Sequence, residues 1–189
     1  MDHQRIAKEW SRLLDEFFAT RADAFERAIE SCVAALKNGR KILAFGNGGS
    51  AAEAQHFVAE MVNKFLKPRA ALRAVTLSAD TSVLTCIGND VSYNAVFSRQ
   101  IEALGDLGDI ALAMSTSGNS PNVLEALKTA KEQGLVTIVL TGWSGGKSAP
   151  LADILLDVPS PETPRIQEIH LYLLHVLAGE IEERIFPAK

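Results

Sequence analysis

Residues 41–51 read KILAFGNGGSA, a short apolar run that leads directly into a glycine-rich turn. Four more apolar runs follow along the chain, and segments with helical periodicity separate most of them. The five runs cover residues 41–45, 74–77, 110–114, 136–140 and 154–158. The helical patterns cover residues 51–66, 81–87 with 93–103, 122–133 and 164–185. Strands that alternate with helices pair in parallel through right-handed crossovers. The sequence therefore predicts a doubly wound three-layer α/β/α sandwich with a mainly parallel five-stranded sheet.

Residues 5–37 have the apolar spacing of helices, and Asn38-Gly39 is a typical helix end. We expect a break near residues 20–23, which gives two helices. We divide the chain into an N-terminal helical extension, residues 1–38, used in oligomer packing, and a domain of residues 39–189. The alternative is that the Trp10/Phe17 stripe packs on its own domain.

The composition excludes several classes of protein. The 189 residues are 47% apolar and carry a net charge of −4, which argues against a broad nucleic-acid-binding surface. Cys32 and Cys86 lack metal-ligand spacing, and we expect both to be reduced and buried. Residues 1–20 do not resemble a secretory signal, and no run approaches 18 apolar residues. We expect a cytoplasmic protein that does not span a membrane.

Gly46-Asn47-Gly48-Gly49-Ser50 follows the first apolar run and precedes a helical pattern. Glycines allow a tight turn and close approach to a ligand, and a helix N-terminus attracts anions. The spacing also satisfies the dinucleotide fingerprint G-x-G-x-x-G/A, but that match alone is weak. A dinucleotide site needs an acid at the end of the second strand, where Ser78 and Ala79 stand and Asp80 lies just beyond.

Ser115-Thr116-Ser117-Gly118-Asn119-Ser120 follows the third run and also precedes a helix. Four hydroxyls and a glycine at the end of a parallel strand favour a second anion cradle, suited to a phosphomonoester. Ordinary N-capping by Ser120 is the alternative.

Residues 141–148, TGWSGGKS, resemble a P-loop, but Thr141 replaces its first glycine. We do not interpret them as a nucleotide site.

The candidate acid–base groups lie on two helices. His56 and Glu60 are four residues apart and so share a helix face, where they could bind a metal, exchange protons or form a surface contact. Gln167 and His175 lie on the last predicted helix, about 12 Å apart along its axis. His175 has apolar neighbours in sequence, so by itself it fits a core histidine.

Seven segments together resemble the sugar isomerase (SIS) family, which has a flavodoxin-like fold, and within it the phosphoheptose isomerases. They are FGNGGS at 45–50, HF at 56–57 with Glu60, GND at 88–90, FSR at 97–99, STSGNS at 115–120, LTG at 140–142 and RIQEIH at 165–170. The resemblance covers nearly the whole chain, and in this order the segments form a specific signature.

The resemblance implies conversion of sedoheptulose 7-phosphate to D-glycero-D-manno-heptose 7-phosphate through an enediol, for synthesis of heptose in lipopolysaccharide or another glycan. It implies that Glu60 is the base at carbon and that His175 moves protons on the oxygens. The residues implied to hold phosphate are Ser115, Thr116, Ser117 and Ser120. Those implied to line the sugar site are Asn47, Gly48, Gly49, Ser50, Asn89, Asp90 and Gln167.

The resemblance also implies a homotetramer with active sites between subunits. It implies a zinc ion, one per subunit, at positions matching His56, Glu60, Gln167 and His175. Two residues depart from the family pattern: Pro164 stands where an acid often precedes Arg165, and Lys64 stands where an arginine is expected.

A related SIS protein, the DnaA initiator-associating protein, offers an alternative from another class: a tetrameric scaffold for replication initiators. Residues 50–52, residues 54–57 and the tail Ile185-Phe186-Pro187 resemble it. That relative lacks counterparts of Glu60 and His175, whereas this chain has both, so the enzyme is favoured. A third hypothesis is an SIS isomerase or sugar-binding regulator specific for another sugar phosphate.

Overall fold

The computed structural model describes residues 2–187. Met1, Ala188 and Lys189 lie outside the described residues, so the outer ends of the predicted segments 1–38 and 39–189 are not covered. The five strands are β1 (Ile42–Gly46), β2 (Ala74–Thr76), β3 (Ile110–Ser115), β4 (Val136–Thr141) and β5 (Ile154–Asp157). They form one parallel sheet in the order β2-β1-β3-β4-β5. The predicted fold class is confirmed, and the sheet described is entirely parallel.

Helices cover both faces of the sheet. They are α1 (His3–Lys37), α2 (Gly49–Val62), α3 (Thr81–Asp90), α4 (Ser98–Leu104), α5 (Pro121–Glu132) and α6 (Thr163–Ile185). Short 3₁₀ segments span Tyr93–Ala95 and Trp143–Leu151. One core layer joins α1, α2 and α6 to the sheet, and the other lies beneath α4 and α5. None of the helices within residues 2–187 is long and apolar enough to cross a membrane.

The predicted break near residues 20–23 is wrong, because α1 is one continuous helix of 35 residues. The Thr20 hydroxyl donates to the Glu16 carbonyl within the helix, at 3.0 Å. The guanidinium of Arg21 donates to both carboxylate oxygens of Asp157, at 2.6 and 3.1 Å. The chain therefore stays helical through this polar segment, which is fixed to the end of β5.

The apolar stripe of α1 packs within its own chain. Phe17 is fully buried, and the Trp10 ring meets the Tyr172 ring edge-on at 5.9 Å. The second half of α1 contributes Phe25 and Ile29 to the core beside α6. Residues 2–38 are therefore part of the same packed body as the sheet, and their use in oligomer packing stays a prediction.

The two cysteines differ in exposure. Cys32 is buried as predicted, and burial raises its pKa to about 12. The prediction that Cys86 is buried is wrong, because α3 lies at the surface with none of its residues buried. Both cysteines are free, and the Cys86 thiol donates to Asp90 at 3.4 Å.

The strand order positions a binding site. In this order the chain leaves β1 and β3 toward opposite faces of the sheet, which opens a crevice at their carboxyl ends. Register places Gly46 beside Met114 and Ser115 beside Thr141, so the ends of the central strands are level. The two predicted phosphate loops follow β1 and β3 and therefore meet at this crevice.

Candidate active site

A polar cavity of about 260 Å³ lies at the crevice between β1 and β3. Hydroxyl, amide and backbone groups from three helix N-termini line it: α2, α5 and α6. The lining residues are Asn47, Gly49, Ser50, Met114, Ser115, Thr116, Ser120, Thr163 and Gln167. Because each helix N-terminus carries a partial positive charge, three of them at one cavity favour an anion such as a phosphate group. We call this cavity the phosphate pocket.

Two asparagines join the loops on either side of the phosphate pocket. Asn47 donates to Asn122 at 2.9 Å, and Asn122 donates back to Asn47 at 2.8 Å. The Tyr93 hydroxyl also donates to the Asn47 carbonyl oxygen, at 3.2 Å. Sequence reasoning missed Asn122 and Tyr93. The position of Asn122 directly after Pro121, at a helix start facing the predicted cradle, was the available signal.

The two pocket serines of the second loop contact each other. Ser115 and Ser120 are joined by a hydroxyl–hydroxyl hydrogen bond of 3.2 Å. Ser120 stands at the N-cap of α5, but its side chain makes no capping hydrogen bond. The capping alternative therefore does not account for this hydroxyl. Ser117 is exposed, lies outside the pocket lining and accepts from the Asn119 N–H at 3.1 Å.

The first loop lies unusually close to α6. Gly48 has φ +56°, a left-handed conformation that permits the turn into α2. A Cβ atom on Gly49 would overlap the Gln167 amide group. Glycine at this position therefore lets the Gln167 side chain lie against the loop and reach the phosphate pocket.

The predicted sugar-site residues Asn89 and Asp90 lie at the end of α3, exposed and outside the pocket lining. Asn89 donates to Asp90 at 2.7 Å. This hydrogen bond and one from Cys86 lower the pKa of Asp90. Tyr93, three residues further on, reaches Asn47 in the first loop, so this segment lies beside the phosphate pocket without lining it.

His56, Glu60 and His175 form a second cluster on the parallel helices α2 and α6. The Nε2 atoms of His56 and His175 are 2.8 Å apart, and His56 Nε2 is 3.7 Å from Glu60 Oε1. The two predicted catalytic groups thus meet at one imidazole. His175 is half-buried and lines an open cavity of about 360 Å³ with His56 and Glu53, so it is not an enclosed core histidine.

The chain is similar to a known family, to known proteins and to solved structures. The SIS domain family matches residues 7–142. Phosphoheptose isomerase from Desulfovibrio desulfuricans is 52% identical over 95% of this chain and 86% of that protein. The chain belongs to the phosphoheptose isomerase family. The solved structure of a phosphoheptose isomerase from Neisseria gonorrhoeae covers 95% of this chain and 98% of its own, with 46% identity and a TM-score of 0.88.

A second solved phosphoheptose isomerase, from Francisella tularensis, is 34% identical, covers 97% of this chain and all of its own, and gives a TM-score of 0.86. The predicted family is therefore confirmed, and the chain is an aldose–ketose isomerase by family. These relatives favour the enzyme over the replication-initiation scaffold.

His56, Glu60 and His175, three of the residues predicted to hold zinc, have the side-chain chemistry of zinc ligands. Imidazole nitrogen and carboxylate oxygen are ordinary zinc ligands. Ligand nitrogens on a tetrahedral zinc lie about 3.3 Å apart, so the two histidines would have to separate slightly. Gln167 faces the phosphate pocket instead of this cluster. Within residues 2–187, no three His, Cys, Asp or Glu side chains are already arranged as a metal site.

A buried acid–imidazole pair lies beside the cluster, and sequence reasoning missed it. Glu53 Oε2 and His170 Nδ1 are 3.9 Å apart, and both atoms are buried without a hydrogen-bond partner. Burial raises the pKa of Glu53 to about 7, against a hydrogen bond from Ser50 that lowers it. Burial lowers the pKa of His170 to about 4. The position of Glu53 three residues before His56, on the same helix face, was the available signal.

Proposed function

We propose that this chain converts sedoheptulose 7-phosphate to D-glycero-D-manno-heptose 7-phosphate through an enediol, with Glu60 and His175 as the proton-transfer groups. The observation that carries the proposal is that His56 Nε2 lies 2.8 Å from His175 Nε2 and 3.7 Å from Glu60 Oε1. These three residues lie on α2 and α6, and the N-termini of both helices line the phosphate pocket. The proposed base and acid therefore lie on the same two helices that contribute to the phosphate pocket.

The phosphate pocket binds the phosphate group of the substrate. Ser115, Thr116 and Ser120 donate hydroxyl hydrogen bonds, and the helix N-termini stabilise the negative charge. Neutral donors suit a group that must bind and leave on each turnover. Asn47 and Tyr93 contact the sugar carbons nearest the pocket, and Gln167 contacts them from α6.

The Glu60 carboxylate removes the proton from C1 of the ketose, and the C–H electron pair becomes the C1–C2 double bond of the enediol. The C2 carbonyl oxygen gains a proton as this happens. His175 supplies that proton and accepts the one that leaves the C1 hydroxyl. Glu60 then returns its proton to C2, which leaves an aldehyde at C1. The atoms balance without an external oxidant or reductant.

Zinc is proposed as the cofactor, held by His56, Glu60 and His175. When bound, it would stabilise the developing negative charge on the enediolate oxygens. Gln167 is the fourth proposed ligand, and a homotetramer with sites between subunits would let ligands come from two chains. We propose that the enzyme acts in the cytoplasm as this tetramer, supplying heptose for lipopolysaccharide or another glycan.

The decisive experiment is to incubate the purified protein with sedoheptulose 7-phosphate and measure the aldoheptose 7-phosphate formed. Glu60→Gln and His175→Gln should each lower kcat at least about a hundredfold, the scale of one lost proton-transfer group. Glu125→Gln, which alters an exposed ion pair with Lys128, is the matched control. Full activity in Glu60→Gln would remove Glu60 as the base, and turnover of only a different sugar phosphate, such as arabinose 5-phosphate, would overturn the assigned substrate.

A further inference from the structure

A buried ion pair joins the segment after α2 to the end of α6. Arg69 Nε donates to Glu182 Oε2 at 2.9 Å, and both side chains are about 1% exposed. The two residues are separated by 113 positions in the sequence. Neither belongs to the phosphate pocket or to the cluster of His56, Glu60 and His175. The polar groups around this pair show what it holds in place.

Glu182 organises the segment of residues 63–73. Its carboxylate accepts hydrogen bonds from the backbone N–H groups of Phe65, Leu66 and Lys67, at 2.9, 2.8 and 2.9 Å. Burial by itself would raise the pKa of Glu182, but these donors and Arg69 lower it, so the group is ionised. One side chain on α6 therefore fixes three successive backbone groups directly after α2.

Arg69 holds the C-terminal end of α2. Its guanidinium donates to the backbone carbonyls of Glu60 at 2.7 Å and Met61 at 2.9 Å. Helix C-terminal carbonyls carry a partial negative charge, so a buried cation there stabilises the last turn. The residue that contributes the proposed base is thus fixed at its backbone by the same guanidinium that pairs with Glu182.

Phe65 connects Glu182 to His175, the second proposed catalytic group. Its ring stacks on the His175 imidazole, with centroids 5.7 Å apart and planes inclined by 23°. The His56 ring meets another side of His175 edge-on, at 5.0 Å. Because the Phe65 backbone N–H is held by Glu182, the ion pair indirectly determines where the His175 ring lies.

We propose that Arg69, Glu182 and Phe65 form a positioning unit that sets the distance between Glu60 and His175, and this rests on the proposed function. Stability alone does not require the ion pair, because buried pairs are often replaceable by apolar side chains without loss. What an apolar pair cannot do is accept three backbone N–H groups and cap two α2 carbonyls at once. The unit holds one catalytic group on each helix, and a displacement of either lowers the rate of proton transfer.

Two pairs of variants test the unit by kinetics. Phe65→Leu removes the ring that stacks on His175, and Phe65→Tyr restores a ring. Arg69→Lys keeps the charge but loses the planar fork, and Glu182→Gln keeps the shape but loses the charge. We expect kcat to fall about tenfold to a hundredfold with KM unchanged in Phe65→Leu, Arg69→Lys and Glu182→Gln, the scale of a mispositioned group. Phe65→Tyr should recover the wild-type kcat.

The matched control is Glu183→Gln, which changes the neighbouring acid on α6 and its surface pair with Lys67. It should leave kcat unchanged. Wild-type kcat in Phe65→Leu, or an equal loss in Phe65→Leu and Phe65→Tyr, would overturn the proposal. A merely structural role would instead lower the unfolding temperature while leaving the kcat of the folded fraction intact.

A spectroscopic measurement separates this proposal from the proposed function. In protein labelled with ¹³C-histidine, His175 signals are assigned from the His175→Gln variant, and stacking on Phe65 shifts them upfield. Phe65→Leu should move them downfield, and Arg69→Lys should move them although Arg69 does not touch His175. If the wild type is inactive but the His175 signals move as expected in both variants, the proposed function is refuted and the positioning unit is supported. An active wild type whose His175 signals ignore Arg69→Lys would refute the unit alone.

Discussion

Asn47 and Asn122 exchange a reciprocal pair of amide hydrogen bonds between the loop after β1 and the first turn of α5. Asn122 is 2% exposed, and its carbonyl oxygen also accepts from the Val123 N–H at 3.0 Å. The pair therefore fixes the separation of the two loops that form the phosphate pocket. A small movement of either loop would change the distance between donors from α2 and donors from α5.

Asn122→Ala should weaken both substrate binding and the fold. The substitution removes both amide hydrogen bonds to the half-buried Asn47, whose oxygen keeps only the donor from Tyr93, and this costs about 1–3 kcal/mol in the free energy of unfolding. We expect KM for the sugar phosphate to rise about tenfold, equivalent to about 1.4 kcal/mol. Steady-state kinetics and urea denaturation measure the two effects. The exposed Asn94→Ala serves as control, and an unchanged KM in Asn122→Ala would show that the amide pair does not set the pocket.

Ser120→Ala should separate ligand binding from helix capping. Because the Ser120 hydroxyl bonds Ser115 and does not cap α5, its loss should change the free energy of unfolding by less than about 0.5 kcal/mol. The inhibition constant for inorganic phosphate should rise about fivefold, equivalent to the loss of one hydrogen bond of about 1 kcal/mol.

Asp80→Ala is the opposite case for comparison. The Asp80 carboxylate accepts from the Val83 N–H at 3.0 Å and caps α3. Its loss should cost about 1 kcal/mol in stability without changing the affinity for phosphate. A large loss of stability in Ser120→Ala, with unchanged phosphate affinity, would restore the capping interpretation.

The sheet and its two loops were predictable because their signals are local. Each apolar run is continuous, and each loop lies directly between a strand and a helix, so the predicted strands end within one residue of the observed ones. Parallel pairing then brings the loops after β1 and β3 together without further information. The convergence of Glu60 and His175 rested on the family resemblance, and the structure shows that His56 joins them.

The missed features depend on contacts between residues far apart in the chain. Arg21, in the segment of α1 where a break was expected, reaches Asp157, and Glu182 accepts hydrogen bonds from the segment after α2. No periodicity in the sequence encodes either contact. The exposure of Cys86 was missed for a related reason: α3 has the apolar spacing of a core helix, yet it lies at the surface.

The proposed zinc can be tested by metal binding as well as by turnover. We expect about one zinc ion per chain in protein purified without chelator, held by histidine nitrogen and carboxylate oxygen. His56→Ala should lower the zinc content and weaken zinc affinity in competition with a coloured chelator, because it removes the imidazole that lies between Glu60 and His175. His3→Ala, at the start of α1, should bind zinc as the wild type does. Metal-free protein with an undiminished rate would rule out zinc as the cofactor.

Glu53 should make the protein less stable as pH rises from about 4.5 to about 7. In the folded protein the buried carboxyl keeps its proton up to about pH 7, whereas the unfolded chain releases it near 4.5. The folded state therefore binds more protons in this window, and stability falls as pH increases. At about 1.4 kcal/mol per pKa unit, the full effect is about 3 kcal/mol.

His170 acts in the opposite direction, because its pKa is lowered from 6.5 to about 4 and stability is lost as pH falls through that range. Its Nε2–H donates to the Thr141 carbonyl at 3.1 Å, so Nδ1 is left as an acceptor facing Glu53.

Glu53→Gln keeps a donor for His170 Nδ1 and cannot ionise. We expect it to be more stable than the wild type at pH 8 by about 3 kcal/mol and nearly equal to it at pH 5. Urea denaturation at both pH values measures this, with the exposed Glu132→Gln as control. Parallel pH profiles for wild type and Glu53→Gln would show that the Glu53 carboxyl is ionised in the folded protein.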